Sequence, residues 1–225
     1  MIGAHLFIHN KVRLLLRFSA RHLYAQTDEK FSNGFLKNYK GLKTFLKEDG
    51  LVREEDCKCF VGKDKKDNST VACDKVKDKK VFKVRDFIIV EKKDVDETDL
   101  IHLLKTCGPI AVEIETTFEY VKESKCNIYY GPSKNMKGPK SIVNHIVLLT
   151  GYNTDPSGVS YFKFQNTWGV RWGENGYGKL ARKVSLPNGE PSLIKSYMYP
   201  EGRVFITLLN LFCFNDNPQI DTGAI

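Results

Sequence analysis

Two residues 21 positions apart carry the chemistry that this sequence offers. They are His145 in "NHIVLLTGYN" (144–153) and Asn166 in "YFKFQNTWGVRWGENGYG" (161–178). An imidazole serves as a general base near neutral pH when a partner fixes its ring and tautomer. A carboxamide oxygen is such a partner, because it accepts the ring N–H, and a flanking indole shields that bond from water. Asn166, Thr167 and Trp168 supply the set if their strand lies beside the one opening at His145. The turn "NTDPSG" (153–158) would join the two as an antiparallel pair. The glycines of "WGVRWGENGYG" permit sharp turns and let Trp172 lie over the strand. Such a pair is only a helper. It needs a nucleophile, most naturally a thiol, facing His145. A histidine alone on a strand is ordinarily a satisfied core residue; here the two blocks together outweigh that reading.

The elements that would position these groups change character along the chain. "GAHLFIHNKVRLLLRFSARHLYAQ" has apolar residues at 4, 7, 8, 12, 15, 16 and 23, near-helical spacing, with Ser19 as the N-cap of a second short helix. "FSNGFLKNYKGLKTFLKEDGL" repeats the helical pattern and stops at Gly50. "VFKVRDFIIV" reads as a strand. "DETDLIHLLKTCGP" reads as a short helix capped by Asp96 or Thr98 and ended by Gly108-Pro109. Beyond it, "IAVEIE", "IVLLTGY", "YFKFQNT" and "YGKLARK" are strand-like runs separated by turn residues. A helical first half and an antiparallel second half predict an α+β protein of two lobes, dividing near residues 85–90. The tail after residue 200, "RVFITLLNLFCFNDNPQIDTGAI", suits an extra strand, a docking segment or spurious translated sequence.

Composition narrows the function classes. Hydrophobic residues make up 41% and charged residues 28% of the 225, ordinary values for a globular protein. No apolar run reaches the roughly 18–20 residues of a membrane span, so none is expected. The net charge of +8 gathers in the stretch 58–93, where lysines alternate with aspartates. That pattern lacks interleaved aromatics and favours a solvated loop face over nucleic-acid binding. The six cysteines permit a disulfide framework without fixing its connectivity, and Cys57-x-Cys59 lacks metal-site spacing, so no metal or cofactor is expected. The acid-free first 27 residues mimic a transit peptide, but their bases interrupt the apolar run and an amphipathic helix is preferred.

The His and Asn blocks, with the tandem W-G-x-x-W-G-x-x-G-Y, resemble those of the papain-like cysteine peptidases of the cathepsin L and plant vacuolar group. The resemblance covers roughly residues 1–200. It implies a papain-like two-lobe fold with an incomplete helical lobe (1–87), a β-rich lobe carrying His and Asn (88–200) and a tail outside the pattern (201–225). It makes His145 the catalytic base, Asn166 its orienter and Trp168 the cover of their bond. Gly34 would pair with substrate backbone, Phe35 and Leu36 would wall the pocket for the second residue before the cut, and Glu113 would reach that pocket and favour a basic side chain there. It further implies peptide or protein substrates, cystatin-like inhibitors as partners, no cofactor, and a vacuolar, lysosomal or extracellular setting.

The nucleophile is the departure. The family's Cys and its oxyanion-hole Gln would stand ahead of Met1. Cys57, the earliest cysteine here, precedes His145 by only 88 residues, whereas the family separation is about 130 or more. Gln26, Ser133 and Pro191 fall in the neighbourhoods of family cysteines. The expectation is a papain-family homologue that is inactive as this chain. The alternatives are a peptide- or inhibitor-binding decoy and a decayed gene product.

Overall fold

The computed structural model describes residues 1–10, 13–26, 39–57, 59–61, 71–73, 80–91, 95–117, 120, 127–131, 143–183 and 192–208. Four helices occur among them: α1 (Ile2–His9), α2 (Ala20–Gln26), α3 (Lys40–Glu48) and α4 (Glu97–Thr106). The strands are β1 (Cys59–Val61), β2 (Val71–Cys73), β3 (Lys80–Glu91), β4 (Ile110–Thr116), β5 (Ile128–Tyr129), β6 (Val143–Thr154), β7 (Ser160–Gln165), β8 (Tyr177–Ala181) and β9 (Ile194–Leu208). β1 and β2 form a small antiparallel ribbon, and the others a seven-stranded sheet of order β3-β9-β4-β6-β7-β8-β5. Every pairing in that sheet is antiparallel except β5 with β8. The architecture is α+β, as the sequence pattern leads one to expect.

Local chemistry explains most boundaries. Ser19 Oγ accepts from the His22 N–H (3.2 Å), so α2 starts where a hydroxyl cap is available. Asp96 does the same for α4 through the Thr98 N–H (2.7 Å). α3 ends before Gly50, which sits at φ +81°, with Val81 and the Phe82 carbonyl too close for a Cβ. The first helix is shorter than its apolar spacing suggests. It closes at Asn10, whose side chain leaves the helix to donate to the Val204 carbonyl (3.0 Å). Leu14 and Leu15 beyond it are exposed rather than continuing an apolar stripe.

β4 separates two cores. Its burial alternates strictly, with Ile110, Val112, Ile114 and Thr116 buried. Ile110, Val112 and Ile114 pack with Leu100, Val147, Leu149, Phe162, Phe164 and Trp172. Ala111, on the other face, joins the second core of Ile2, Leu6, Phe45, Leu46, Phe82, Phe87 and Met198. β9 serves both sides: it pairs with β3 over Lys80–Glu91 and with β4 over Ala111–Ile114. Cys57 is disulfide-bonded and Cys107 is a free thiol. No helix of the described residues is long and apolar enough to cross a membrane.

Candidate active site

β6 and β7 form the hairpin that carries both candidate residues. Asp155 organises its turn: one carboxylate oxygen accepts from the Ser157 N–H, the Ser157 hydroxyl and the Val159 N–H. These bonds hold the Asp155 carboxyl below its usual range. The ladder then runs from Thr154↔Ser160 to Leu148↔Gln165 and ends there. His145, still paired with β4 opposite Ile114, and Asn166, the first residue past β7, therefore emerge at the same end of the hairpin.

His145 Nε2 lies 2.8 Å from Asn166 Oδ1. The same Oδ1 accepts from the Thr167 N–H at 2.7 Å. A backbone N–H can only donate, so the atom it meets is the amide oxygen, and that oxygen can only accept from His145. The imidazole proton thus belongs on Nε2, which leaves Nδ1 as the nitrogen free to exchange a proton. Asn166 is buried and His145 half-buried. Trp168 covers the pair: its ring stacks on the imidazole with centroids 4.7 Å apart and planes 23° apart, while the indole stays 38% exposed.

The glycine-rich loop holds the indole in place. The Asn166 N–H donates to the Gly176 carbonyl (2.9 Å) and the Gly176 N–H to the Trp172 carbonyl (2.8 Å). Trp172 meets Trp168 edge to face at 5.4 Å. Gly178 permits this, since a Cβ there would overlap Phe164 and Trp172. Tyr120 completes the aromatic cluster, 5.6 Å from Trp172 and 4.1 Å from Tyr129, and burial raises its phenol's proton affinity. No sequence motif singles out Tyr120.

A second group of polar side chains projects from the opposite face of β4 to its core residues. Glu113 accepts from the Ser196 hydroxyl at 2.9 Å and from the Tyr39 hydroxyl. Burial first, then the Glu113 charge and this bond, push the Tyr39 phenol up to about 12. Glu115, two residues on, is paired with Lys195 at 2.6 Å, whereas Glu113 makes no ion pair among the described residues. Tyr39 and Ser196 are additions to the sequence reading; Tyr39 lies between Asn38 and Lys40 and Ser196 follows Lys195, and no motif or spacing there singles either out. Gly34, Phe35 and Leu36 lie outside the described residues. A separate open groove of about 810 Å³, lined by Met1, Ile2, Leu16, Leu23, Leu148 and Tyr177 among others, does not include His145. Among the described residues no group of three His, Cys, Asp or Glu side chains could hold a metal.

Comparison with known proteins bears on this geometry. Cathepsin L of Sarcophaga peregrina is 32% identical over 111 residues, which is 49% of this chain and 31% of that protein. The KDEL-tailed cysteine endopeptidase CEP2 of Arabidopsis thaliana is 30% identical over 161 residues, 69% of this chain and 39% of that one. The match thus spans well under half the length of either relative. Procathepsin B S9 from Trypanosoma congolense shares the fold, with a TM-score of 0.67 at 18% identity, covering 89% of this chain and 66% of that chain. The model of the papain family cysteine proteases matches residues 2–200. With so much of its length fitted, the chain belongs to the papain family of cysteine proteases.

Proposed function

We propose that His145 and Asn166 are the base and orienter of a papain-type peptidase site, and that this 225-residue chain does not itself hydrolyse peptides. The observation carrying the first part is the 2.8 Å contact that ties Nε2 to the amide oxygen and leaves Nδ1 available. In a complete site a thiolate opposite Nδ1 would attack the peptide carbonyl. His145 would then protonate the departing amine and afterwards take a proton from the water that cleaves the thioester. Asn166 keeps the ring at one angle through both transfers, and Trp168 keeps water off their bond.

The second part rests on the cysteines of the sequence, none of which stands at the family separation before His145. Without a thiolate the pair offers no acyl-enzyme route. Among the described residues Glu113 is met only by the neutral hydroxyls of Ser196 and Tyr39, which supports a basic side chain as the preferred one in the neighbouring substrate pocket. Because the described Glu113–Tyr39–Ser196 group and the exposed Trp168 need no nucleophile, peptide or cystatin-like inhibitor binding without turnover is the second reading.

A thiol-directed peptide epoxide and a fluorogenic peptide with Arg before the final residue separate these readings. The purified chain should remain unlabelled and release no fluorophore. Labelling of a cysteine with turnover would refute the inactivity. Saturable peptide binding that weakens in Glu113→Gln would favour the binding role.

A further inference from the structure

Among the described residues helix α1 is fastened by three polar contacts, each ending on a backbone carbonyl. His5 Nε2 lies 2.7 Å from the Gly202 carbonyl of β9. Asn10 donates to Val204 of the same strand (3.0 Å), and His9 Nε2 lies 3.3 Å from the Cys107 carbonyl at the end of α4. A carbonyl only accepts, so the neutral His5 ring carries its proton on Nε2. Its Nδ1 is then bare, buried and without a hydrogen-bond partner, in a residue only 3% exposed. One turn along the helix, the His9 ring sits 4.3 Å from the His5 ring.

We propose that His5 is an acid-sensitive latch: protonation of its ring detaches α1 from β9 at Gly202 and opens the apolar layer between them. That layer contains Ile2 and Leu6 from α1, with Phe87, Met198 and Val204 from the sheet. A second proton on His5 would have to sit on Nδ1, which is buried without a hydrogen-bond partner, with the His9 ring 4.3 Å from its own. The titratable groups on the surrounding elements do not rescue it. They are His9 on α1 and the Met1 amino group just before it, Asp99 on α4 and Cys107 just after it, Tyr199 and Glu201 on β9, and Arg85 on β3, which packs against Gly202. Of these side chains only His9 bears on the His5 charge, and it repels.

The sign follows from burial, which lowers the proton affinity of His5; the His9 charge adds to this, and the Gly202 and Cys107 carbonyls offset part of it. A released α1 takes up the proton near the ordinary value of about 6.5, and the latched one only at lower pH. The latch is therefore at full strength above that value and weakens as pH falls below it. His22 is also buried and also lowered by burial, but it stands on α2 against Phe45, so location distinguishes the two.

Hydrogen–deuterium exchange of the full chain, corrected for intrinsic rates, tests the proposal at about pH 7.5 and about pH 5. Amides of residues 2–10 should lose at least about tenfold more protection on acidification than those of β6 and β7. His5→Gln, which keeps a donor for Gly202 but cannot titrate, should abolish that excess loss, and His22→Gln should leave it intact. Equal losses in wild type and His5→Gln, or abolition by His22→Gln, overturns the latch. If His5→Gln fails to fold, the wild-type His5 ring can be titrated by NMR. Uptake of its proton together with loosening of α1 supports the latch, and uptake with α1 still protected overturns it.

Discussion

One amide oxygen, Asn166 Oδ1, receives two donors at once, from His145 and from the Thr167 backbone. Removing it in Asn166→Ala should cost about 1–3 kcal/mol in chemical denaturation, since it strands both donors, the half-buried His145 ring N–H and the part-buried Thr167 N–H. The more telling readout is the His145 tautomer by nitrogen NMR. Wild type should hold its proton on Nε2, and the variant should show a mixture; an unchanged tautomer would remove Asn166 from the orienting role. Tyr39 offers a separate check. Its phenol is held at about 12 by burial and by Glu113. A phenol raised in the folded state adds stability that is complete below the ordinary value of about 10 and fades as pH climbs to about 12. Glu113→Gln should move the ultraviolet titration of Tyr39 part of the way back toward 10, leaving the burial contribution. The His–Asn–Trp geometry was legible in the sequence because the motif fixes both residue types and the hairpin that joins them. Tyr39, Ser196 and Tyr120 were not, because their roles arise from three separate segments meeting in space.

Helices and strands here answer to short-range rules where caps exist and to packing where they do not. Asp96 caps α4, and Asp96→Ala should lower stability by about 1 kcal/mol, measured as a shift in the denaturation midpoint with unchanged slope. The C-terminal stop at Gly50 and the start at Ser19 were likewise readable, being set by one side chain or one backbone angle. The length of α1 was not. Apolar spacing continues past residue 10, but the Asn10 amide finds a better partner in β9 than in the helix, and no local pattern announces a contact 194 residues away. At β8, Gly178→Ala would drive a methyl into Phe164 and Trp172. A loss of about 1–3 kcal/mol is expected, with a change in tryptophan fluorescence as Trp168 shifts against His145.

Across the whole molecule β9 binds the two halves into one unit. The family match ends at residue 200, yet the strand runs on to Leu208, pairing with Lys80–Val84 of β3 and supplying the Gly202 and Val204 carbonyls that hold α1. Deleting residues 201–225 should therefore do more than trim a tail. It removes the buried Val204, worth roughly 1.5–3 kcal/mol by itself, and two of the three polar anchors of α1, those on Gly202 and Val204. A clear fall in melting temperature and loss of exchange protection in residues 2–10 are the expected outcomes; a melt identical to the full chain would refute this. A strand whose two ends serve different cores also favours a single unfolding transition by calorimetry.

β4 gives the molecule one more property. Its even positions fill one interior while Glu113 and Glu115 stand on the reverse side. Insertion or loss of a single amino acid in this seven-residue segment would exchange the sides, driving two carboxylates into oil and bringing valine and isoleucine to the side the carboxylates now hold. A point change at Glu113 or Glu115 leaves that register in place. The charge on that reverse side can therefore be rewritten one residue at a time, while the scaffold behind it tolerates no shift in count.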